Sequence, residues 1–95
     1  MKIAVTYEDG NVFQHFGHTE NFKIYNVEDG EVKSADVVST NGTGHEALAG
    51  LLADQNVDVL ICGGCGSGAA DALAEAGIQV FSGAEGDTDV AVMTY

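Results

Sequence analysis

The stretch from Val57 to Phe81 constrains the fold more than any other part of the chain. Val57–Ile61 is an apolar run broken only by Asp58. Gly63-Gly64-Cys65-Gly66-Ser67-Gly68 follows, then an alanine-rich segment ending near Gly77, then Ile78–Phe81. A continuous apolar run suits a strand buried on both faces. A strand–helix–strand order implies parallel pairing through a right-handed crossover. Gly77 stands where a helix end favours a left-handed residue. The second half of the chain therefore reads as α/β, with helices on the faces of the sheet.

The first half adds strands of another kind. Lys2–Tyr7 reads as a short buried strand opened by Ile3 and Val5, and Phe22–Val27 and Glu31–Val38 as two more. Asp29-Gly30 between the latter pair is a hairpin signal, because glycine accepts the positive φ of a tight turn. Residues 8–21 read as one long connection, the kind that in small domains tends to be functional. Asn41-Gly42-Thr43-Gly44 breaks the chain before a helix. Thr43 and Glu46 have capping-box spacing there, and Leu48, Leu51 and Leu52 form its apolar stripe. Asp87–Tyr95 suits a short helix, although Val90, Val92 and Tyr95 suit a strand as well. The expected order is β-β-β-α-β-α-β: a mixed five-stranded sheet flanked by helices, in one domain over residues 1–95.

Composition removes several functions. Fifteen acidic residues face three lysines, for a formal net charge of −12. Lys2, Lys23 and Lys33 cannot form the basic patch that binding to nucleic acid or an anionic membrane requires. No apolar run approaches the roughly 20 residues of a membrane span, and Met1–Tyr7 does not read as a signal peptide. A cytoplasmic location is the expectation. The acid excess by itself needs no explanation beyond solubility.

The candidate ligands fall together once strand directions are followed. With the first strand running up, the second runs down and the third, fourth and fifth run up. His15 and His18 then lie at the upper edge in residues 8–21, His45 in 39–45, and Cys62 and Cys65 in 62–68. Ligands of open α/β sheets bind outside the carboxyl ends of strands, and His and Cys suit soft or borderline metals. Each residue also has a plainer reading. Cys62 suits a small core residue. His15, His18 and His45 suit a solvated surface. Cys65, among glycines before a helix, is expected to have its thiol pKa lowered by the helix N-terminus.

Two blocks carry a family resemblance. Gly10-Asn11-Val12-Phe13-Gln14-His15-Phe16-Gly17-His18, followed by Phe22-Lys23-Ile24-Tyr25, is one. Leu60-Ile61-Cys62-Gly63-Gly64-Cys65-Gly66, through Leu73 to Ala76-Gly77-Ile78-Gln79-Val80, is the other. Together they resemble the dinitrogenase iron–molybdenum cofactor biosynthesis family, a nitrogen-fixation-related group. The resemblance implies a ribonuclease H-like fold and a non-catalytic carrier. Its cargo would be iron–molybdenum cofactor or a related iron–sulfur or molybdenum-containing cluster, passed between a protein donor and acceptor. It implies His15 as ligand or gate with Phe16 and Gly17 beside it. Gly63, Gly64 and Gly66 would wrap the cluster, and Cys62 and Cys65 would supply thiolates. His18 and His45, by their placement at the same edge, are the further candidate ligands. A monomer or weak homodimer is expected, since a site with few ligands is one that a dimer can complete.

Rival chemistries fit less well. A two-metal nuclease needs clustered carboxylates on the sheet, and Lys2–Tyr7 contains none. Gly64-x-Gly66-x-x-Ala69 imitates a dinucleotide fingerprint, but it comes two-thirds of the way along the chain. A zinc site or thiol-redox module built on Cys62 and Cys65 is the alternative, although redox C-x-x-C motifs accompany a β-α-β opening and this chain opens with a meander.

Overall fold

Strand β1 (Lys2–Glu8) is the spine of the sheet. Ile3 and Val5 enter one core cluster and Ala4 the other, as the two-residue period of a pleated strand requires. The computed structural model describes residues 1–16, 19–40 and 45–94, without the side chains of 45, 46 and 67. β1 pairs antiparallel with β3 (Asn21–Glu28) and parallel with β5 (Val59–Ile61). The sheet order is β4-β3-β1-β5-β6, with β4 (Glu31–Ser39) and β6 (Gln79–Phe81) at its two edges. The expected meander and parallel unit are both present.

The sheet has six strands, one more than the sequence reading supplies. The addition is β2 (Asn11–Val12), which pairs antiparallel with the end of β1. Asp9-Gly10 makes the turn, with φ of 48° and 87°, and closes a Glu8–Asn11 pair. Asp29-Gly30 does the same with φ of 53° and 77°, closing Glu28–Glu31. Two successive positive φ values are the mark of the hairpin turn whose twist matches its strands. The stretch read as one long connection, residues 8–21, therefore opens with a hairpin.

Helices α1 (His45–Asp54) and α2 (Ser67–Glu75) cover one face. Leu48, Leu52 and Leu73 pack there with Ala4, Ile24 and Leu60. The opposite face is covered by α3 (Thr88–Met93), whose Val92 joins Ile3, Val5, Tyr25, Val59 and Ile61. α3 settles the ambiguous end of the chain as helix. The Asp87 carboxylate accepts the amides of Asp89 at 2.8 Å and Val90 at 3.2 Å, an N-cap that a strand cannot use. The proposed Thr43–Glu46 capping box lies outside the described residues. Among the described residues, no helix is long and apolar enough to cross a membrane. β1, β4, β5 and β6 all end at the same edge of the sheet, where the candidate site lies.

Candidate functional site

After β2 the chain turns back along this upper edge and docks on the loop that follows β5. The Gly63 amide donates to the Phe13 carbonyl at 3.3 Å, and the Phe16 amide to the Gly64 carbonyl at 3.0 Å. His15 and Gly64 form a parallel bridge between the two loops. Phe13 is held from below, its amide on the Thr6 carbonyl and its carbonyl accepting the buried Thr6 hydroxyl at 2.7 Å. Phe16 is 2% exposed and packs on Phe22 with ring centroids 5.9 Å apart. His15, between these two anchors, is exposed, with the Phe13 ring edge-on to it at 6.3 Å. Burial of Phe16 beside it, with Phe13 tied to Thr6, leaves the imidazole at the surface.

The glycines divide by what surrounds them. A Cβ on Gly63 would lie 2.6 Å from the Gln14 α-carbon, and one on Gly64 2.9 Å from the Gln14 carbonyl oxygen. These two positions need glycine so that the loops can touch. Gly66, with φ −67° at the N-cap of α2, and Gly68 have nothing within 4 Å of a built Cβ, so space is open in front of the helix. The expectation that Gly63 wraps a cluster with its backbone donor therefore needs correction. Its N–H is already given to Phe13, and its α-carbon face is covered by Gln14. Gly66 is the loop glycine that faces open space.

A third segment joins from the end of β6. The Gly83 amide donates to the Gly63 carbonyl at 2.7 Å, and the Ala84 amide to the Cys62 carbonyl at 3.1 Å. The Val12 amide reaches the Gly86 carbonyl at 2.7 Å. Residues 12–16, 62–64 and 83–86 thus form one hydrogen-bonded mat.

The two cysteines have unequal positions. Cys62 is fully buried in the α1–α2 cluster, which bears out its plainer reading as a core residue. Burial pushes its thiol up to about 12, with smaller contributions in the same direction from the charge of Cys65 and a hydrogen bond between the two. Cys65 is half-buried against the same cluster. Burial raises its pKa as well, against the lowering effect of the Cys62 hydrogen bond. The expected depression by the helix is thus reversed. Cys65 stands one residue before the Gly66 N-cap, and loss of water is the dominant influence on its thiol there.

Of the five proposed metal ligands, His15, Cys62 and Cys65 are described, and they do not come together as a three-ligand metal group. Cys62 points into the core while His15 points out. His18 and the side chain of His45 lie outside the described residues, as does Gly17. Phe16 is likewise a core anchor, with its ring turned away from solvent. Sequence reasoning missed Gln14, an unassigned position in the His-Phe-Gly block that proves to touch both loops; its neighbours in the motif were the only signal.

The three lysines are engaged outside the mat. Lys2 donates to the Gln55 carbonyl, Lys23 pairs with Asp89 at 3.0 Å, and Lys33 pairs with Glu31 at 2.9 Å. A small hollow of about 150 Å³ beside the His15 loop is lined by Tyr7, Glu8, Phe13, Glu20 and Asn21. A wider one of about 300 Å³ lies between the end of β6 and α3. Neither is lined by a thiol or an imidazole.

The dinitrogenase iron–molybdenum cofactor family matches the whole sequence, residues 1–95. The chain belongs to that family. One relative, the uncharacterized protein MJ0580 of Methanocaldococcus jannaschii, is 30% identical over 87 residues, spanning 85% of this chain and 73% of that protein. The crystal structure of PH0822 superposes with a TM-score of 0.94 at 27% identity, over 99% of this chain and 87% of that one. The apo form of the orange protein from Desulfovibrio gigas gives 0.80 at 30% identity, over 98% and 81%. The mixed sheet and its loops are thus the common frame of this iron–molybdenum cofactor family member and its relatives.

Proposed function

We propose that this protein is a non-catalytic carrier of an iron–molybdenum-type or related iron–sulfur cluster, which it receives from a donor protein and hands to an acceptor. The observation that carries this reading is the bridge between His15 and Gly64. It sets an exposed imidazole loop directly on the loop that bears a half-buried thiol. Family membership supports the cargo class, and a relative described in an apo form supports a group that comes and goes.

The sparse ligand set suits hand-over. A resident metal is held by a closed set, four ligands in structural zinc sites. A carrier must let go, and one imidazole, one thiol and open space before Gly66 leave a cluster accessible to an acceptor's ligands. The cluster's negative charge meets a chain of net charge −12. Direct metal–ligand bonds act at contact distance, whereas the net charge is screened within about 8–10 Å at ordinary salt. Zinc bound through the C-x-x-C is the competing chemistry, and it is harder to build, because Cys62 is fully buried in the core and leaves Cys65 as the one partly accessible thiol of the pair.

Anaerobic purification with quantification of iron, molybdenum, zinc and acid-labile sulfide tests the reading, together with the visible spectrum before and after cluster reconstitution. The expected result is a coloured protein containing iron and sulfide, whose cluster is lost faster in His15→Ala and Cys65→Ser. Stoichiometric zinc without sulfide would replace the carrier with the zinc module. A protein that stays colourless after reconstitution would end it.

A further inference from the structure

The mat at the upper edge contains a side chain with no ligand chemistry of its own that touches every segment of it. Gln14 is exposed, yet its side-chain amide donates to the Val12 carbonyl and to the Ala84 carbonyl, each at 3.3 Å. The oxygen end of the same side chain lies 2.6 Å from where a Cβ of Gly63 would stand, and the Gln14 α-carbon is equally close. The Gln14 carbonyl closes over Gly64. One residue thus spans the His15 loop, the loop after β5 and the loop after β6.

We infer that Gln14 is a positioning residue, a clamp that ties the His15 loop to the loop after β6 while packing on Gly63 and Gly64 of the Cys65 loop, and so sets the spacing of the site before any cargo arrives. A primary amide has two donors, and here one braces the Val12 carbonyl of its own segment while the other crosses to the Ala84 carbonyl. No strand ladder does this work, since the loop contacts around it are single hydrogen bonds and an isolated bridge. Gly63 and Gly64 are the complement of the clamp. The missing side chains let Gln14 lie against them, which explains why glycine stands at both positions. Ordering the ligands in advance removes a cost that cargo binding would otherwise bear. Only the cargo half of this inference rests on the carrier reading; the loop-clamping half concerns the protein without cargo.

Gln14→Met keeps the length of the side chain and removes both donors. Gln14→Glu keeps its shape and sets a carboxylate against two carbonyl oxygens. Gly63→Ala approaches the same contact from the other side, where a backbone atom cannot step aside. In the cargo-free protein, hydrogen exchange of the Phe16 and Gly63 amides and the rate of Cys65 alkylation by iodoacetamide are measured first. Each is expected to rise about fivefold in Gln14→Met, the effect of one ordinary hydrogen bond on an opening equilibrium. Gln14→Glu and Gly63→Ala should rise further, while exchange of the Leu48 and Leu52 amides stays at the wild-type rate. Wild-type exchange and alkylation in Gln14→Met would overturn the clamp. The second arm uses a cluster reconstituted from ferrous iron and sulfide. Gln14→Met should shift its visible spectrum and speed its loss to a chelator, readouts that depend on ligand geometry rather than on fold stability. An unshifted spectrum and unchanged loss would deny Gln14 its role toward cargo. If the first arm succeeds and wild-type protein takes up no cluster, the clamp stands and the carrier reading falls.

Discussion

The two faces of the sheet are held in different ways. On the face under α1 and α2 the contacts are apolar: Leu48, Leu52, Leu60 and Leu73 are fully buried, with Phe16 and Phe22 beside them. On the other face α3 has six residues and contributes one buried apolar side chain, Val92, while Val90 and Met93 face solvent. A helix that short cannot be secured by apolar area alone. It is secured by a polar clasp instead. The Tyr25 hydroxyl, rising from β3, donates its one proton to the Asp89 carboxylate and accepts from the Thr88 hydroxyl at 2.9 Å. Lys23 pairs with Asp89 and lies over the Tyr25 ring at 5.2 Å. The site's anchors, Phe16 and Cys62, belong to the apolar face. The lesson is that the loops of the candidate site are anchored on the apolar face, while α3 is tied on by groups that titrate and exchange.

Several experiments break or sharpen this contrast. The largest effect is expected on the apolar face: Phe22→Ala should cost about 3–5 kcal/mol in urea unfolding and loosen the whole molecule. Tyr25→Phe removes the hydroxyl of the clasp and should cost about 1–2 kcal/mol. Its effect should be local, with faster amide exchange at Ala91 and Thr94 and none at Leu48 or Leu52; equal acceleration on both faces would remove the distinction. Asp87→Ala takes away the cap of α3 and should cost about 1 kcal/mol, again confined to that helix. Lys23→Met should move stability by less than about 0.5 kcal/mol, because its partner Asp89 is 60% exposed and exposed pairs contribute little.

The smallest effect is a pH dependence of α3. Hydrogen bonds from Tyr25 and then Lys23 hold the Asp89 carboxyl below its usual value of 3.8. A depressed folded pKa means stabilisation that is complete above the unfolded value and lost as pH falls through the folded one. Amide exchange in α3 should therefore quicken below about pH 4 relative to the α1 amides, and in an Asp89→Asn variant that relative change should vanish. Alkali is a poorer discriminator. Raised pKa values of Tyr25 and Cys62 place titrating groups on both faces, and each loses stabilisation as pH rises.

Much of this was legible in the residues because it is local. Asp29-Gly30 needs two positive φ values wherever it is placed, so it announces a hairpin; the same rule applied to Asp9-Gly10 would have revealed β2. Val57–Ile61 and Ile78–Phe81 flank a glycine-bounded helix, and handedness rules then give the parallel pairing seen in β5 and β6. From strand directions alone, the histidine and cysteine loops could be sent to one edge. The Cys65 thiol was misread because its pKa depends on how much water the fold removes, which no neighbour in sequence reports. The ambiguity of Asp87–Tyr95 had a similar source, since Val90 and Val92 suit either structure until Tyr25, distant in sequence, supplies a partner for Asp89.

By itself, the sequence determined the element order, the strand directions and the edge to which the ligands go, since these follow from turn chemistry, hydrophobic period and chirality within short spans of chain. Only the tertiary structure decided which of those ligands face outward, that Cys62 belongs to the core, and that Gln14 lies across Gly63. Each of these is a matter of which side chains exclude one another or water when three loops meet, and packing between segments far apart in sequence sets that.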